Sequence, residues 1–377
     1  MSAGTGAGAH DAAVLIERWR QLQARLSAAG ADAVVLNGGA DLAHLTGYAA
    51  MPLERLTALV ARADHDRPSL LVPRLELARV GRCDDAFELV GWSEEEVPAE
   101  RLVEIIGDAD TVVLSDDLWA MHVLAIGRLR PGWTLRTVSE ALTGVRVVKT
   151  REERDALRAA GALADQVMGM VQSGAIGLVG RSEEAIAADI ADHLLRVGHQ
   201  EVQFVIVASG PNSASPHHHP GDRVVAPGEM VLFDFGGTHN GYNSDTTRCV
   251  YTGEVPADVA AAYDVLMEAQ QAAVEAAVAG GRLCDVDRAA RSALTAAGHG
   301  EAFIHRTGHG IGTEVHEQPY VTESNTDTIE VGYAFSIEPG VYYEGRWGMR
   351  LEDIVVIGDD GSAIRCNHSD RHLIQLA

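Results

Sequence analysis

Four acids and a histidine in the second half of this 377-residue chain occupy positions where apolar or small residues surround them. Asp234 ends the apolar run of MVLFDFGG, and Asp245 follows eleven positions later in NSDTTR. His309 lies in the Gly-rich segment TGHGIG, Glu338 in FSIEPG and Glu352 in MRLEDIVV. An acid that ends or interrupts an apolar strand is costly unless it is paired or bound to a cation. Four carboxylates and one imidazole are too many for a single four-coordinate zinc, whose structural sites favour Cys and His. They suit two hard or borderline divalent ions sharing bridging carboxylates and a bridging hydroxide. Taken singly, each acid reads as a solvated turn residue or an ion-pair partner, and His309 as a structural residue of a Gly-rich turn. The metal reading belongs to the set.

Competing motifs fail on context. The DFG at Asp234 has no HRD catalytic loop or Gly-rich phosphate loop to go with it. GHGIG is followed by no GK[ST], His316-Glu317 lacks the second histidine of HExxH, and there is no GxSxG elbow. Cys83, Cys249, Cys284 and Cys366 are far apart and form no CxxC pair, which excludes a visible zinc cage or redox motif and fits a reducing compartment.

The elements that must position these residues fall into two halves. Residues 1–10 are a Gly/Ala/Ser tail. From Asp11 a helix is expected, with Leu15, Trp19, Leu22 and Leu26 at helical spacing and Gly30 as its stop. The runs Ala33–Leu36, Leu56–Val60, Leu70–Val72 and Val112–Leu114 read as buried strands between helices, so the first third is α/β. Around Val145–Arg158 the texture changes to a strand-like RVV, a polar turn and a helix opening with Glu152 and Glu153. Domains are expected at 1–145 and 146–377. In the second, helices over about 152–172, 182–197, 257–279 and 285–297 combine with strands at Gln203–Ala208, Met230–Phe235, Thr246–Tyr251, Tyr333–Ile337 and Ile354–Ile357, an α+β pattern.

The order Asp, Asp, His, Glu, Glu with the strings DFG, SDTTR, GHGIG, SIEPG and RLEDI resembles the pita-bread metallopeptidases, the family of methionine aminopeptidase, aminopeptidase P and prolidase. The resemblance covers nearly the whole chain. HLTGY (His44–Tyr48) is similar to the creatinase-type N-terminal domain, and Arg146–Ala160 to the entry helix of the catalytic domain. It is nearest to bacterial Xaa-Pro dipeptidases, and it implies an α/β creatinase-like domain followed by an α+β pita-bread catalytic domain. In that family pattern Asp245 and Glu352 bridge two metals, Asp234 chelates one, and His309 and Glu338 hold the other. Glu338 also shuttles a proton from the attacking water to the leaving nitrogen. The resemblance further implies that His217, in SPHHHP, contacts substrate and that His305 and His316 steady the oxyanion and orient the peptide. His218 and His219 read as a polar loop. Arg350 would pair with Asp234 or a neighbouring carboxylate, or bind a substrate carboxylate.

The implied reaction is cleavage of the bond before proline in a dipeptide by a metal-bridging hydroxide, with manganese, or else cobalt or zinc, as the two ions. The first domain would limit substrate length by closing one side of the pocket. A homodimer is implied as well. The alternatives are aminopeptidase P acting on longer peptides, a lyase or phosphotriesterase on the same site, and a catalytically silent binding protein. The complete ligand set disfavours the last. Composition agrees: 46% hydrophobic and 22% charged residues describe a globular chain, and a net charge of −24 argues against a nucleic-acid partner. No apolar run approaches the roughly 20 residues that cross a bilayer. No signal peptide is visible either, so a cytoplasmic location is expected.

Overall fold

The computed structural model describes residues 12–80 and 85–376. The N-terminal tail, the expected helix start at Asp11 and Cys83 lie outside the described residues. Among these residues no helix is long and apolar enough to cross a membrane. The chain divides into two compact units, the first ending at Arg146 and the second beginning at Val147.

The first unit is built on a six-stranded mixed sheet. Its strands are β1 (Ala33–Asn37), β2 (Ala58–Arg62), β3 (Ser69–Pro73), β4 (Glu88–Trp92), β5 (Thr111–Leu114) and β6 (Thr134–Thr137), in the order β4-β3-β2-β1-β5-β6. Both faces are covered, which explains why its central strands are apolar runs rather than alternating ones. Val34 and Leu36 of β1 join one apolar cluster with Leu15, Trp19, Leu22 and Leu26 of the helix Ala12–Ala28. Ala33 and Val35 point the other way, into a cluster with Leu102, Ile106 and Ile126.

The second unit begins with two helices, Arg151–Gln172 and Glu183–Val197. The first is opened by a capping box: Thr150 accepts from the Glu153 amide, and Glu153 accepts from the Thr150 amide. The expected RVV strand is absent. Val147 is buried and Val148 partly so, but the segment is an irregular connection whose Lys149 amide donates to the Gly332 carbonyl. The two valines there are packed into the core and pair with no strand.

Two sheets follow. One contains β7 (Glu201–Ser209), β8 (Met230–His239), β9 (Tyr242–Asn243) and β10 (Thr246–Thr252). The other contains β11 (Gly308–Gly310), β12 (Glu317–Val321), β13 (Ala334–Ile337), β16 (Asp353–Ile357) and β17 (Ala363–Arg365), in the order β12-β11-β13-β16-β17. A hairpin, β14 (Gly340–Tyr343) with β15 (Trp347–Arg350), lies between β13 and β16 in the chain, and β18 (Ile374–Leu376) pairs with β10. Helices Ala257–Ala276 and Leu283–Ala296 share one apolar cluster with Leu232, Phe335 and Val355 of the strands.

The period of two along β8 explains where Asp234 points. Val231, Phe233 and Phe235 enter the cluster under the first two helices, whereas Met230 and Leu232 enter the other. Asp234 shares the parity of the second set, and Thr247 of β10 stands opposite it in register. His309 is not in a turn, as its glycines suggested. It sits in β11, between β12 and β13. A Cβ at Gly308 would collide with the Ser336 carbonyl oxygen, and one at Gly310 with that of Gln318, so the two glycines permit the close approach that places His309. At the start of β16, Asp353 is fully buried. It pairs with Arg248 (2.6 Å) and Arg365 (2.9 Å) and accepts from Gln270 (3.0 Å).

Candidate metal centre

Five elements bring the acids and His309 together: β8 carries Asp234, Asp245 immediately precedes β10, His309 is in β11, Glu338 follows β13 and Glu352 precedes β16. Donor atoms of Asp234, Asp245 and Glu352 lie within 4.8 Å of one another, as do those of His309, Glu338 and Glu352. Glu352 is common to both groups. A third group joins Asp245 and His309 to His316. His309 Nε2 is 3.7 Å from Asp245 Oδ2 and 3.5 Å from Glu338 Oε1. These separations exceed a hydrogen bond but match donors that each stand about 2.0–2.2 Å from one ion.

The electrostatics point the same way. Burial, then Glu352 and Asp234, push the Asp245 carboxyl up; burial, then Glu338 and Asp234, do so for Glu352. Burial pushes Glu338 to about 7 although Arg350 opposes it. Burial lowers His309 to about 3, with His316 adding to the effect, so its ring is neutral. His309 Nδ1 donates to the Gly310 carbonyl at 3.0 Å, which leaves the Nε2 lone pair facing the acids. Asp234 Oδ1 and Asp245 Oδ1 are buried without a hydrogen-bond partner. Orphaned carboxylate oxygens, a neutral imidazole and mutually repelling acids are the donor set two divalent cations would satisfy.

Arg350, 3% exposed, is the guanidinium that meets this cluster. Its Nη2 donates to Asp234 Oδ2 (2.6 Å), its Nε to Thr247 Oγ1 (3.0 Å) and its Nη1 to Tyr342 Oη (2.9 Å) and the Pro216 carbonyl (3.3 Å). The expected pairing of Arg350 with Asp234 is present. Tyr342 in turn donates to His305 Nε2 (3.0 Å), while His305 Nδ1 donates to the Arg306 carbonyl (2.7 Å). Both His305 nitrogens are therefore committed, and His305 supports Arg350 through Tyr342 instead of offering a free N–H to an oxyanion. His316 is exposed and its ring lies 3.9 Å from that of His309. His217 is exposed on the adjoining loop. Burial chiefly lowers His305, to about 4, and also His316; His217 adds to both shifts.

Several residues that hold the site carried no signal in the sequence. Thr247 Oγ1 donates to Glu352 Oε2 at 2.7 Å, and Ser336 Oγ accepts from the His309 amide (3.0 Å) and donates to Glu338 Oε1 (3.1 Å). His218 is not a free loop residue: Glu183, fully buried, accepts from His218 Nε2 (2.7 Å), Ser209 and Asn212, fixing the loop that carries His217. Only Ser336, two positions before Glu338, was open to inference from spacing.

The chain is similar to known proteins over nearly its whole length. The chain is 41% identical over 374 residues to the "Probable dipeptidase PepE" of Mycobacterium tuberculosis, covering 98% of each. It is 36% identical over 362 residues to the "Xaa-Pro dipeptidase" of Lactobacillus helveticus, covering 94% of this chain and 97% of that one. The crystal structure of dipeptidase PepE from Mycobacterium ulcerans superposes with a TM-score of 0.92 at 40% identity, over 98% of this chain and 100% of that one. The models for the Creatinase/Prolidase N-terminal domain and for metallopeptidase family M24 match residues 18–159 and 154–359. With four acids and a histidine converging inside the α+β unit, the chain belongs to metallopeptidase family M24, a pita-bread catalytic domain preceded by a creatinase-type domain.

Proposed function

We propose that this enzyme hydrolyses the Xaa-Pro bond of dipeptides, and that Asp234, Asp245, His309, Glu338 and Glu352 hold two divalent cations. Asp245 and Glu352 would be shared between them. The observation that carries the reading is the buried cluster itself, two of whose carboxylate oxygens have no hydrogen-bond partner. Relatives named Xaa-Pro dipeptidase and dipeptidase, aligned over nearly the whole chain, supply the substrate class. When bound, the cations polarise the scissile carbonyl and bring the pKa of water toward neutrality. The oxygen-rich donor set favours manganese, with cobalt or zinc as substitutes.

The chain's own residues then divide the work. Glu338, at 15% the most exposed side chain among it, Asp234 (11%) and Asp245 (4%), takes a proton from the attacking water on a carboxylate oxygen and delivers it to the proline nitrogen. That nitrogen carries no amide proton, so recognition must fall on the ring and the chain terminus. His217 and His316, exposed beside the cluster, orient the peptide and donate to the carbonyl oxygen as charge develops there. Arg350 holds Asp234 in place. On the same reading the enzyme acts on free peptides in the cytoplasm, as a homodimer.

The test is a comparison of an Xaa-Pro dipeptide with the matching Xaa-Pro-Yaa tripeptide after chelation and add-back of Mn, Co or Zn. Faster dipeptide cleavage, restored best by Mn or Co, is expected. Faster tripeptide cleavage would replace the dipeptidase reading by that of an Xaa-Pro aminopeptidase, and cleavage that survives complete metal removal would refute the two-cation site.

A further inference from the structure

Glu183 is buried more deeply than its place in the fold requires. It opens the helix Glu183–Val197 behind the Ser182 cap, a position where a solvated acid already complements the helix dipole, and its neighbour Glu184 is exposed in that ordinary way. The Glu183 carboxylate is instead fully buried and ringed by donors: the Ser209 amide and hydroxyl (both 2.7 Å), Asn212 Nδ2 (3.1 Å) and His218 Nε2 (2.7 Å). Burial raises its pKa, but the contacts from Ser209 and His218 outweigh that and hold the carboxyl below its ordinary value. A charge is costly to take out of water, and these donors all lie between Ser209 and His218, so what the buried charge orders is that one stretch.

The stretch is held from another side as well. The Pro216 carbonyl accepts from Arg350 Nη1 (3.3 Å), and Arg350 Nη2 is bound to Asp234 (2.6 Å). His217 therefore stands between two anchored neighbours, one tied to the acid cluster and one to the helix start. Its own ring is exposed and makes no hydrogen bond among the described residues. It is within electrostatic reach of His305 and His316: burial is the main cause of their lowered pKa values, and His217 is a lesser one. A ring without contacts of its own keeps its place through its backbone, and a donor placed beforehand needs no reorganisation when charge develops.

We infer that Glu183 and His218 are positioning residues for the reaction: their hydrogen bond, opposite the Arg350–Pro216 contact, holds His217 where it meets the peptide. The inference rests on the reading of His217 as a substrate-facing residue.

The experiment compares metal-loaded wild type with His218→Ala, His218→Asn and His218→Gln, each with and without His217→Ala, on Ala-Pro, with melting temperature and metal content as controls. Misplacing a donor that acts in the transition state should lower kcat roughly ten- to hundredfold in His218→Ala and leave KM within about threefold. Asparagine is too short to span the same distance and should show the same loss, which keeps the test open if the alanine variant does not fold. Glutamine can donate its amide to Glu183 and should recover most of the activity. In the His217→Ala background the same changes should cost no more than about twofold, because the group they position is gone. Unchanged kcat, a full loss in that background, no recovery by His218→Gln, or a loss accounted for by metal content overturns the proposal. A wild type that does not cleave Ala-Pro refutes the dipeptidase reading itself. Amide hydrogen exchange over residues 214–221 then still decides the clamp: roughly tenfold faster exchange in His218→Ala than in wild type supports it, and equal protection overturns it.

Discussion

Stripped of divalent cations, the centre leaves four acids around one guanidinium, and protons must take over the neutralisation. Glu338 is the group to follow, since burial pushes it from 4.5 to about 7. A carboxyl with a raised folded-state pKa binds more protons folded than unfolded between those two values. Its contribution to stability is therefore complete below 4.5 and is lost as pH rises through 7. The whole shift corresponds to about 3 kcal/mol, of which about 2 kcal/mol falls between pH 5.5 and 8. Buried neutral histidines pull the other way: His309, lowered to about 3, and His305, lowered to about 4, cost stability as pH falls below the ordinary 6.5. Comparison with Glu338→Gln removes this carboxyl and its push on Glu352 and Asp245, while both proteins retain those histidines. On going from pH 8 to 5.5, metal-free wild type should gain about 2 kcal/mol on metal-free Glu338→Gln. At roughly 2–4 °C per kcal/mol for a unit of this size, that is about 4–8 °C in relative Tm. Manganese should abolish the difference in slope, since a bound cation displaces the proton. Calorimetric melting of chelated protein, read across that range with and without manganese, makes the measurement. Parallel Tm profiles for the two metal-free proteins would refute a protonated Glu338 near neutrality.

The remaining expectations concern the centre and its frame. Asp245→Ala should lose both cations and turnover, read by elemental analysis and peptide assay; an active, metal-replete variant would remove Asp245 from the site. Thr247→Val keeps the shape but deletes the contacts to Glu352 and Arg350, and should weaken metal affinity about 10- to 100-fold in a competition titration. Gly308→Ala must push against the Ser336 carbonyl; it should lower Tm by an overpacking cost of about 1–3 kcal/mol and weaken metal binding with it. Asp353→Ala strands the fully buried Arg248 and should cost about 3–5 kcal/mol in denaturant unfolding.

Long elements were legible because their periodicity is local. The helix Ala12–Ala28 buries Leu15, Trp19, Leu22 and Leu26, the spacing that announced it, and β8 grew from the MVLF run. The short strands were not. Gly308–Gly310 carries no apolar pattern and exists because β12 and β13 flank it, and Glu317–Val321 contains a proline. The donor set stood out because acids in apolar surroundings are conspicuous. Thr247 did not, since its partner Glu352 is 105 positions away and a threonine in a strand needs no explanation. Nor could the sequence show that His305 spends both nitrogens, one of them on Tyr342 thirty-seven residues on.

Glu352 and Asp353 are neighbours in the chain with separate duties. Asp353 is gripped by Arg248, Arg365 and Gln270, and Arg248 also donates to the Glu352 carbonyl oxygen, so the backbone of the donor is bolted from behind. Scaffold and reagent are thereby decoupled at adjacent positions. An engineer who exchanges the carboxylate at 352 to recruit a different ion edits a tip whose mounting stays put, whereas one who disturbs 353 shakes the whole fixture.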